Sequence, residues 1–204
     1  MGMSYISTMG KDPPVDMVTM LLKGKPDDGG LYMPAYWNPF TSDEIDEMKK
    51  MTLPEIGYMV GKKFFGDDVS DEKLQDIAYA ALNFDIPIQQ LTDDGIYLMW
   101  LDQGPTGAFK DFAARYMAQF MSRILTQHLD REMVIIVATS GDTGAAVASA
   151  FHDVQGIKVY VMYPVNEVSE TQALLMDTLG NLSLIHISEP TRLGMISYAV
   201  FCLK

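Results

Sequence analysis

The chain of 204 residues carries 27 acidic and 15 basic side chains, and its formal net charge of −12 disfavours nucleic acid and anionic membranes as partners, because both require a basic footprint. No apolar stretch approaches the length that spans a bilayer, and residues 1–8 lack the charged-then-apolar pattern of a signal peptide. The single cysteine, Cys202, cannot form an internal disulfide, so the composition predicts a cytoplasmic protein.

The first part of the chain, residues 1–84, is predicted to be a helical domain. Two segments in it, Thr41–Glu44 and Thr52–Glu55, fit the capping box, in which a hydroxyl and a carboxylate satisfy backbone N–H groups at a helix start. Ser70 precedes two acidic residues and is expected to cap a further helix that continues to Leu82. We therefore expect three helix starts in this region.

From Ile86 onward the pattern changes to an alternation of strands and helices. This rhythm predicts an α/β fold with a parallel sheet and right-handed crossovers. The predicted strands are Ile96–Leu101, Met133–Ala138 and Ile157–Met162, and the predicted helices are Phe109–Gln127, Gly144–His152 and Ser169–Leu179.

One lysine, Lys110, stands where a strand is expected to give way to a helix. The preceding segment, Gly104–Gly107, has two glycines that let the backbone turn and a proline that stiffens it. Open α/β sheets bind ligands at the carboxyl ends of their strands, and the rings of Phe109 and Phe112 could desolvate the amine and favour its nucleophilic form. The alternative is a solvated surface lysine at a helix start.

A second loop, Thr139–Gly144, follows the strand expected at Met133–Ala138. That strand is apolar throughout, which suits cover on both faces. A hydroxyl-rich turn flanked by glycines at the start of a helix makes an anion site from hydroxyls and backbone N–H groups. The alternative is an ordinary helix start with Asp142 or Thr143 as its cap.

Together the two loops resemble those of the threonine synthases, pyridoxal-phosphate enzymes of the tryptophan-synthase-β-like superfamily. The segment Gly104–Phe112 is similar to the cofactor-lysine motif of that family, and Ala138–Ala148 is similar to its substrate loop. Further similar blocks occur in the family's order at Tyr5–Thr8, Asp28–Pro34 and Tyr163–Ser169. The resemblance extends from Met3 to Asn181.

The resemblance implies a helical amino-terminal domain at residues 1–84 and, at residues 85–181, the start of a three-layer αβα pyridoxal-phosphate domain. It implies that Lys110 holds the cofactor and moves protons, with Phe109 and Asp142 also at the cofactor. The implied substrate-binding residues are Thr139, Ser140, Gly141, Asp142, Thr143 and Gly144. The implied reaction converts O-phospho-L-homoserine and water to L-threonine and phosphate. The alternatives are a phospho-lyase that releases phosphate without making threonine, and a non-catalytic ligand-binding fragment of the same fold.

Other polar residues carry weaker signals. The three histidines, His128, His152 and His186, lack the spacing of metal ligands or of a catalytic triad, so no metal site is expected. Arg115 lies four residues after Asp111, a spacing that favours an ion pair, with substrate phosphate as the alternative partner of the guanidinium.

The last segment, residues 182–204, departs from the family's pattern. Its run Leu182–Arg192 resembles the translated sequencing-adapter read-through that ends some assembled metagenomic genes. We therefore expect a non-native tail and a protein cut short near Asn181, which would leave the loop for the cofactor phosphate outside the chain. Such a chain is expected to be inactive, because apolar strands lose their neighbours, although apolar residues of the tail could add a strand.

Overall fold

Helices dominate the first part of the chain in the computed structural model. The structure describes residues 2–124, 132–139, 141–164 and 168–179, together with the backbone of residues 182–187 and 198–202. The helices before residue 84 are α1 (Met17–Lys23), α2 (Ser42–Met48), α3 (Leu53–Phe65) and α4 (Asp71–Ala81).

Side-chain caps explain where three of these helices begin. Glu44 Oε2 accepts from the amide N–H of Thr41 at 2.7 Å at the start of α2, which completes a capping box. Glu55 Oε2 accepts from the amide N–H of Thr52 at 2.6 Å at the start of α3. The hydroxyl of Ser70 caps α4. The three predicted helix starts are confirmed.

The amino-terminal region also contains a small sheet that the sequence prediction omitted. Strands β1 (Tyr5–Ser7) and β2 (Tyr32–Pro34) pair in antiparallel orientation. Asp28 lies just before β2 and accepts a hydrogen bond from the Ser7 hydroxyl at 2.6 Å. Two of the sequence blocks that resemble the family, although distant along the chain, therefore contact each other.

The strand predicted at Ile96–Leu101 is shorter than predicted and lies outside the parallel sheet. Only Tyr97–Met99 form a strand (β4), and it pairs with Ile88–Gln90 (β3) in a separate antiparallel hairpin. All six residues of β3 and β4 are exposed. The cause is the turn between the strands, where Gly95 has a φ of 82° and donates its N–H to the carbonyl of Thr92. An Asp-Gly pair between apolar runs is a hairpin signal, which sends the chain back beside itself.

The main sheet lies in the second part of the chain. Its strands are β5 (Met133–Ala138), β6 (Ile157–Pro164), β7 (Leu182–Ile187) and β8 (Tyr198–Cys202), in the order β7-β6-β5-β8. β6 pairs in parallel with both β5 and β7, whereas β8 pairs antiparallel to β5. The predicted parallel sheet is confirmed for its central strands. That residues 182–204 are a non-native tail stays a prediction.

One helix connects the two parts of the molecule. The helices of the second part are α5 (Asp111–Ile124), α6 (Asp142–Ala150) and α7 (Glu170–Asp177). No helix in the described ranges is long and apolar enough to cross a membrane. On α5, Ala118 and Met121 are buried in a cluster with residues of β5, β6 and α6. Phe120 and Ile124 are buried in a second cluster with residues of β1, α1 and α4. Burial on both sides fixes α5 in place.

Arg115 ties α5 to the end of α4. Its Nε donates to the carbonyl of Ala81 at 2.7 Å, and its Nη2 donates to Ala80 at 3.0 Å and to Asn83 Oδ1 at 2.6 Å. The predicted ion pair with Asp111 is therefore wrong. The last carbonyls of a helix lack partners within the helix, so they attract a guanidinium that reaches them.

Candidate functional site

The topology brings the starts of α5 and α6 to the same end of the sheet. α6 directly follows β5, so it begins near the carboxyl end of that strand. Eight residues separate α5 from β5, and α5 packs against α6. Helices that connect parallel strands run antiparallel to them, so we expect both helices to run antiparallel to β5. We therefore expect Lys110, which precedes α5, to lie at the same edge of the sheet as Thr139 and Gly141–Gly144, at the start of α6. Ala108 is buried in the same cluster as residues of α6, which agrees with this placement.

The loop before Lys110 folds onto the side chain of Asp111. The Thr106 amide N–H donates to Asp111 Oδ2 at 2.8 Å, and the Thr106 hydroxyl donates to Oδ1 at 2.7 Å. The N–H of Gly107 donates to the carbonyl of Gly104 at 3.1 Å, with a Gly107 φ of 69° that suits glycine. The backbone is therefore held by hydrogen bonds on both sides of Lys110, by the turn before it and by the helix after it.

The amine of Lys110 lies against one aromatic ring. Its Nζ is 4.3 Å from the centroid of the Phe109 ring, and that side chain is 59% exposed. The ring of Phe112, which we expected beside the amine, packs edge-to-face on Phe84 at 5.0 Å. Within the described ranges Lys110 forms no ion pair, unlike Lys23, Lys49, Lys62, Lys63 and Lys158. Its amine therefore has no carboxylate partner in the part of the chain that the structure describes.

The start of α6 is organised by Thr139 at the end of β5. Thr139 is buried, and its Oγ1 accepts from the amide N–H of Gly141 at 3.0 Å and of Gly144 at 2.9 Å. Gly141 is the N-cap, with a φ of 138° that favours glycine. The predicted caps Asp142 and Thr143 are wrong, because the hydroxyl of Thr139 already serves the helix start from the strand.

Two amide groups at the start of α6 are candidates for binding a ligand. Among the described residues, the backbone N–H groups of Asp142 and Thr143 have no acceptor. The first turn of a helix carries partial positive charge, so such groups attract anions. The structure gathers Thr139 and Gly141–Gly144 at this point, whereas Ser140 lies outside the described residues.

Gln172 is a site residue that sequence reasoning missed. Its Nε2 donates to Asp142 Oδ1, and its Oε1 accepts from the amide N–H of Ser169 at 3.0 Å. The capping box at the start of α7 was predictable from the pattern Ser169 to Gln172, and its presence is confirmed. The other end of the same amide reaches Asp142, 30 residues earlier in the chain. α7 therefore fixes the orientation of the Asp142 carboxylate.

The histidines lie away from these loops in the sequence. His152 Nε2 is 3.2 Å from Asp153 Oδ2 beyond the end of α6, and His128 falls outside the described residues. Among the residues that the structure describes, no group of three or more His, Cys, Asp and Glu side chains is placed to hold a metal ion.

Two protein families match adjoining parts of the chain. The description "Threonine synthase N terminus" matches residues 4–82, and "Pyridoxal-phosphate dependent enzyme" matches residues 82–192. The second match covers more than half of the chain. The chain therefore belongs to the pyridoxal-phosphate dependent enzyme family. The predicted resemblance to the threonine synthases is confirmed, and pyridoxal phosphate is the cofactor of the family.

Two relatives of this pyridoxal-phosphate family member are threonine synthases. The chain is 39% identical over 151 residues to the threonine synthase of Escherichia coli, covering 74% of this chain and 34% of the relative. It is 34% identical over 182 residues to the threonine synthase of Pseudomonas aeruginosa, covering 87% of this chain and 38% of the relative. It thus spans well under half of the length of these relatives.

Solved structures confirm the predicted α/β class. Pyridoxal-phosphate-bound threonine synthase from Brucella melitensis superposes with a TM-score of 0.83 at 30% identity, covering 92% of this chain and 42% of that chain. The Escherichia coli threonine synthase superposes with a TM-score of 0.81 at 34% identity, covering 91% and 42%. The chain therefore has the fold of about two-fifths of each of those structures.

Proposed function

We propose that this chain carries the cofactor lysine and the substrate loop of a threonine synthase, which converts O-phospho-L-homoserine and water to L-threonine and phosphate. Its relatives are named threonine synthases and align with most of its length. Because it spans 34% and 38% of those relatives, the reaction is proposed for this chain acting together with the rest of the relatives' fold.

One arrangement carries the proposal: α5, which Lys110 precedes, packs against α6. Among the described residues, the amine of Lys110 has no carboxylate partner and the amides of Asp142 and Thr143 have no acceptor. Pyridoxal phosphate requires an amine for its aldehyde and donors for its anionic oxygens. Lys110 meets the first requirement, since it forms no ion pair in the described ranges. The start of α6 supplies N–H donors at Asp142 and Thr143. The residues present therefore fit the cofactor and an anionic substrate.

Lys110 would hold the cofactor and then move protons. A neutral amine can take a proton from the α carbon of the substrate, and the resulting ammonium can return a proton to a neighbouring carbon. The bound cofactor supplies an electron sink for these steps. Phe109 covers one side of the amine, so it would help to set the direction from which the substrate approaches.

The α6 loop would bind the carboxylate of the amino-acid substrate. The hydroxyl of Thr143 and the amides of Asp142 and Thr143 are donors, and we assign Ser140 to the same role by resemblance. Gly141 and Gly144, which belong to the substrate loop by resemblance, donate their amides to Thr139 and give the loop its shape. Thr139 would act by holding these amides in place.

Asp142 has a different task, because a carboxylate repels an anionic substrate unless a donor lies between them. Gln172 donates to one carboxylate oxygen of Asp142. The other oxygen is then oriented to accept from a hydroxyl, and the ring hydroxyl of the cofactor is the group that we propose.

The domain division and the compartment remain part of this proposal. We assign residues 1–84 to a threonine synthase amino-terminal domain and residues 85–181 to the start of the pyridoxal-phosphate domain, with residues 182–204 as a non-native tail. The family match runs to residue 192 and so covers eleven residues of the segment 182–204. The sequence has no cysteine before residue 182, which favours a reducing, cytoplasmic location.

The reaction can be tested in a polypeptide that joins residues 3–181 to the part of the Escherichia coli threonine synthase that follows the matched region. With O-phospho-L-homoserine and pyridoxal phosphate, we expect equal amounts of phosphate and threonine. Lys110→Ala should abolish both products, because it removes the nucleophile and the proton carrier together. Lys50→Ala removes an exposed lysine far from the loops in sequence and should leave turnover unchanged.

The two products separate the alternatives. Phosphate without threonine would replace the proposal by a phospho-lyase. Neither product from a cooperatively melting polypeptide would indicate a non-catalytic ligand-binding fold. The 204-residue chain alone is expected to make neither product, with or without residues 182–204, and threonine formation by that chain would contradict this expectation.

A further inference from the structure

We infer that Asp111 is a positioning residue for Lys110, acting through the loop that precedes the lysine; the inference rests on the proposed role of Lys110. The side chain of Asp111 is only 1% exposed. Burial of a carboxylate is costly unless each oxygen is hydrogen-bonded. Both oxygens of Asp111 are satisfied by one residue, since Thr106 donates its amide to Oδ2 and its hydroxyl to Oδ1.

The choice of partner distinguishes Asp111 from an ordinary capping carboxylate. A capping side chain accepts from the amides two or three residues later in its own helix. Asp111 opens α5 but bonds backward, to a residue five positions earlier and outside the helix. Its two hydrogen bonds therefore serve the loop.

The start of the loop is shaped around the same carboxylate. A Cβ atom added at Gly104 would lie 2.4 Å from Asp111 Oδ2 and 2.7 Å from Asp111 Cβ, so only glycine fits there. Gly104 in turn accepts the N–H of Gly107. Residues 104, 106 and 107 thus form a closed turn on Asp111.

Lys110 is clamped between this turn and the helix. Its carbonyl accepts the amide N–H of Ala114 at 2.9 Å, and the amide N–H of Asp111 donates to the carbonyl of Ala108 at 3.0 Å. The backbone on both sides of the lysine is therefore fixed, and the direction of its side chain depends on the turn. Displacement of a reacting group by about 1 Å can cost on the order of a hundredfold in rate.

The test measures where the cofactor attaches, and not turnover. The 204-residue chain is treated with pyridoxal 5′-phosphate and borohydride, and label at Lys110 is compared with label at Lys11 and Lys50 by peptide mass mapping. We expect a preference for Lys110 in the unchanged chain. Asp111→Asn should reduce that preference by about ten- to a hundredfold, because an amide offers one acceptor oxygen where the carboxylate offers two.

Three variants separate positioning from general stability. Thr106→Val removes the hydroxyl donor and should lower the preference, whereas Thr106→Ser keeps the donor and should restore it. Asp28→Asn is the matched control, because Asp28 also accepts from a hydroxyl and from amides, in a different loop. It should leave the preference for Lys110 unchanged.

The outcomes separate this inference from the proposed function. Absence of any preference for Lys110 in the unchanged chain would overturn the positioning role and leave the proposed function, which is tested in the joined polypeptide, unaffected. A preference that survives Asp111→Asn would overturn the positioning role alone. An equal loss in Asp111→Asn and Asp28→Asn would show a purely structural effect and would overturn it as well. If Asp111→Asn does not fold, the contrast between Thr106→Val and Thr106→Ser decides: equal labelling in the two would overturn the role.

Discussion

The two loops at the sheet edge are held by opposite means. In the first, a carboxylate on the helix, Asp111, reaches back to the loop, whose Phe109 ring is largely exposed. In the second, a hydroxyl at the strand end, Thr139, reaches forward to two amides of a buried turn. The conformation of the first loop therefore depends on one charged carboxylate. The conformation of the second depends on close packing and on hydrogen bonds to a neutral hydroxyl. The first loop offers a side chain to a ligand, whereas the second offers backbone N–H groups. Backbone N–H groups can be placed only by fixing the backbone itself, so the second loop must be held more closely.

The largest expected effect is the loss of the Thr139 hydroxyl. Thr139→Val keeps the shape of the side chain but leaves the amides of Gly141 and Gly144 without an acceptor. A buried unsatisfied donor costs about 1–3 kcal/mol, and two donors are affected here. Urea unfolding should report the loss in the free energy of unfolding. A change below about 0.5 kcal/mol would mean that water replaces the hydroxyl and that the turn does not depend on it.

Gly144→Ala tests the dependence of the second loop on space. The added methyl would lie 2.3 Å from Thr139 Cγ2 and 3.1 Å from Val161 Cγ1, in a buried position. Overpacking of this kind costs about 1–3 kcal/mol, which thermal unfolding should detect as a lower Tm. Ser149→Ala, on the same helix, is the control and should change stability little. Equal stability of Gly144→Ala and the control would show that α6 can shift away from β6.

Thr143→Val separates function from stability within the second loop. The hydroxyl of Thr139 holds the loop, whereas the hydroxyl of Thr143 is proposed to bind the substrate carboxylate. A hydrogen bond to a charged group is worth roughly 1.5–3 kcal/mol, so kcat/KM of the joined polypeptide should fall about ten- to a hundredfold. The free energy of unfolding should change by less than about 0.5 kcal/mol. An unchanged kcat/KM would leave this hydroxyl without a role in substrate binding.

The smallest expected effect concerns Asp28, a second loop carboxylate that resembles Asp111 in its partners. The Ser7 hydroxyl, followed by the amides of Gly30, Lys11 and Asp12, holds the pKa of Asp28 down to about 2, below its usual value of 3.8. A lowered pKa stabilises the fold above the unfolded value, and this contribution is lost as pH falls from about 4 to about 2. Asp28→Asn should therefore flatten the pH dependence of the unfolding free energy in that window. The same slope in both proteins would contradict the assignment.

Much of the fold could be predicted from local patterns. The strand Met133–Ala138 has the predicted bounds, because an apolar run between polar residues has few alternative structures. The two capping boxes predicted at the starts of α2 and α3 form, since each requires only residues three positions apart. Features that depend on neighbours within one turn are therefore readable from sequence.

The errors come from partners that lie elsewhere in the fold. Arg115 was expected to pair four residues back, but it bonds carbonyls 34 and 35 residues away, where a helix happens to end. The bond from Gln172 to Asp142 spans 30 residues and has no local signal. The cap of α6 was misassigned because Thr139 serves it from outside the helix. The site residues themselves were named from the resemblance, and their roles stay predictions.

The central claim is that the Lys110 loop and the α6 loop line a single site. It is tested most directly by NMR of the isotope-labelled chain before and after pyridoxal phosphate is fixed to Lys110 by borohydride. The account predicts that the amide resonances of Gly141 and Gly144 shift together with that of Gly107, while that of Gly30 stays in place. Shifts confined to the residues that flank Lys110 would contradict a shared site.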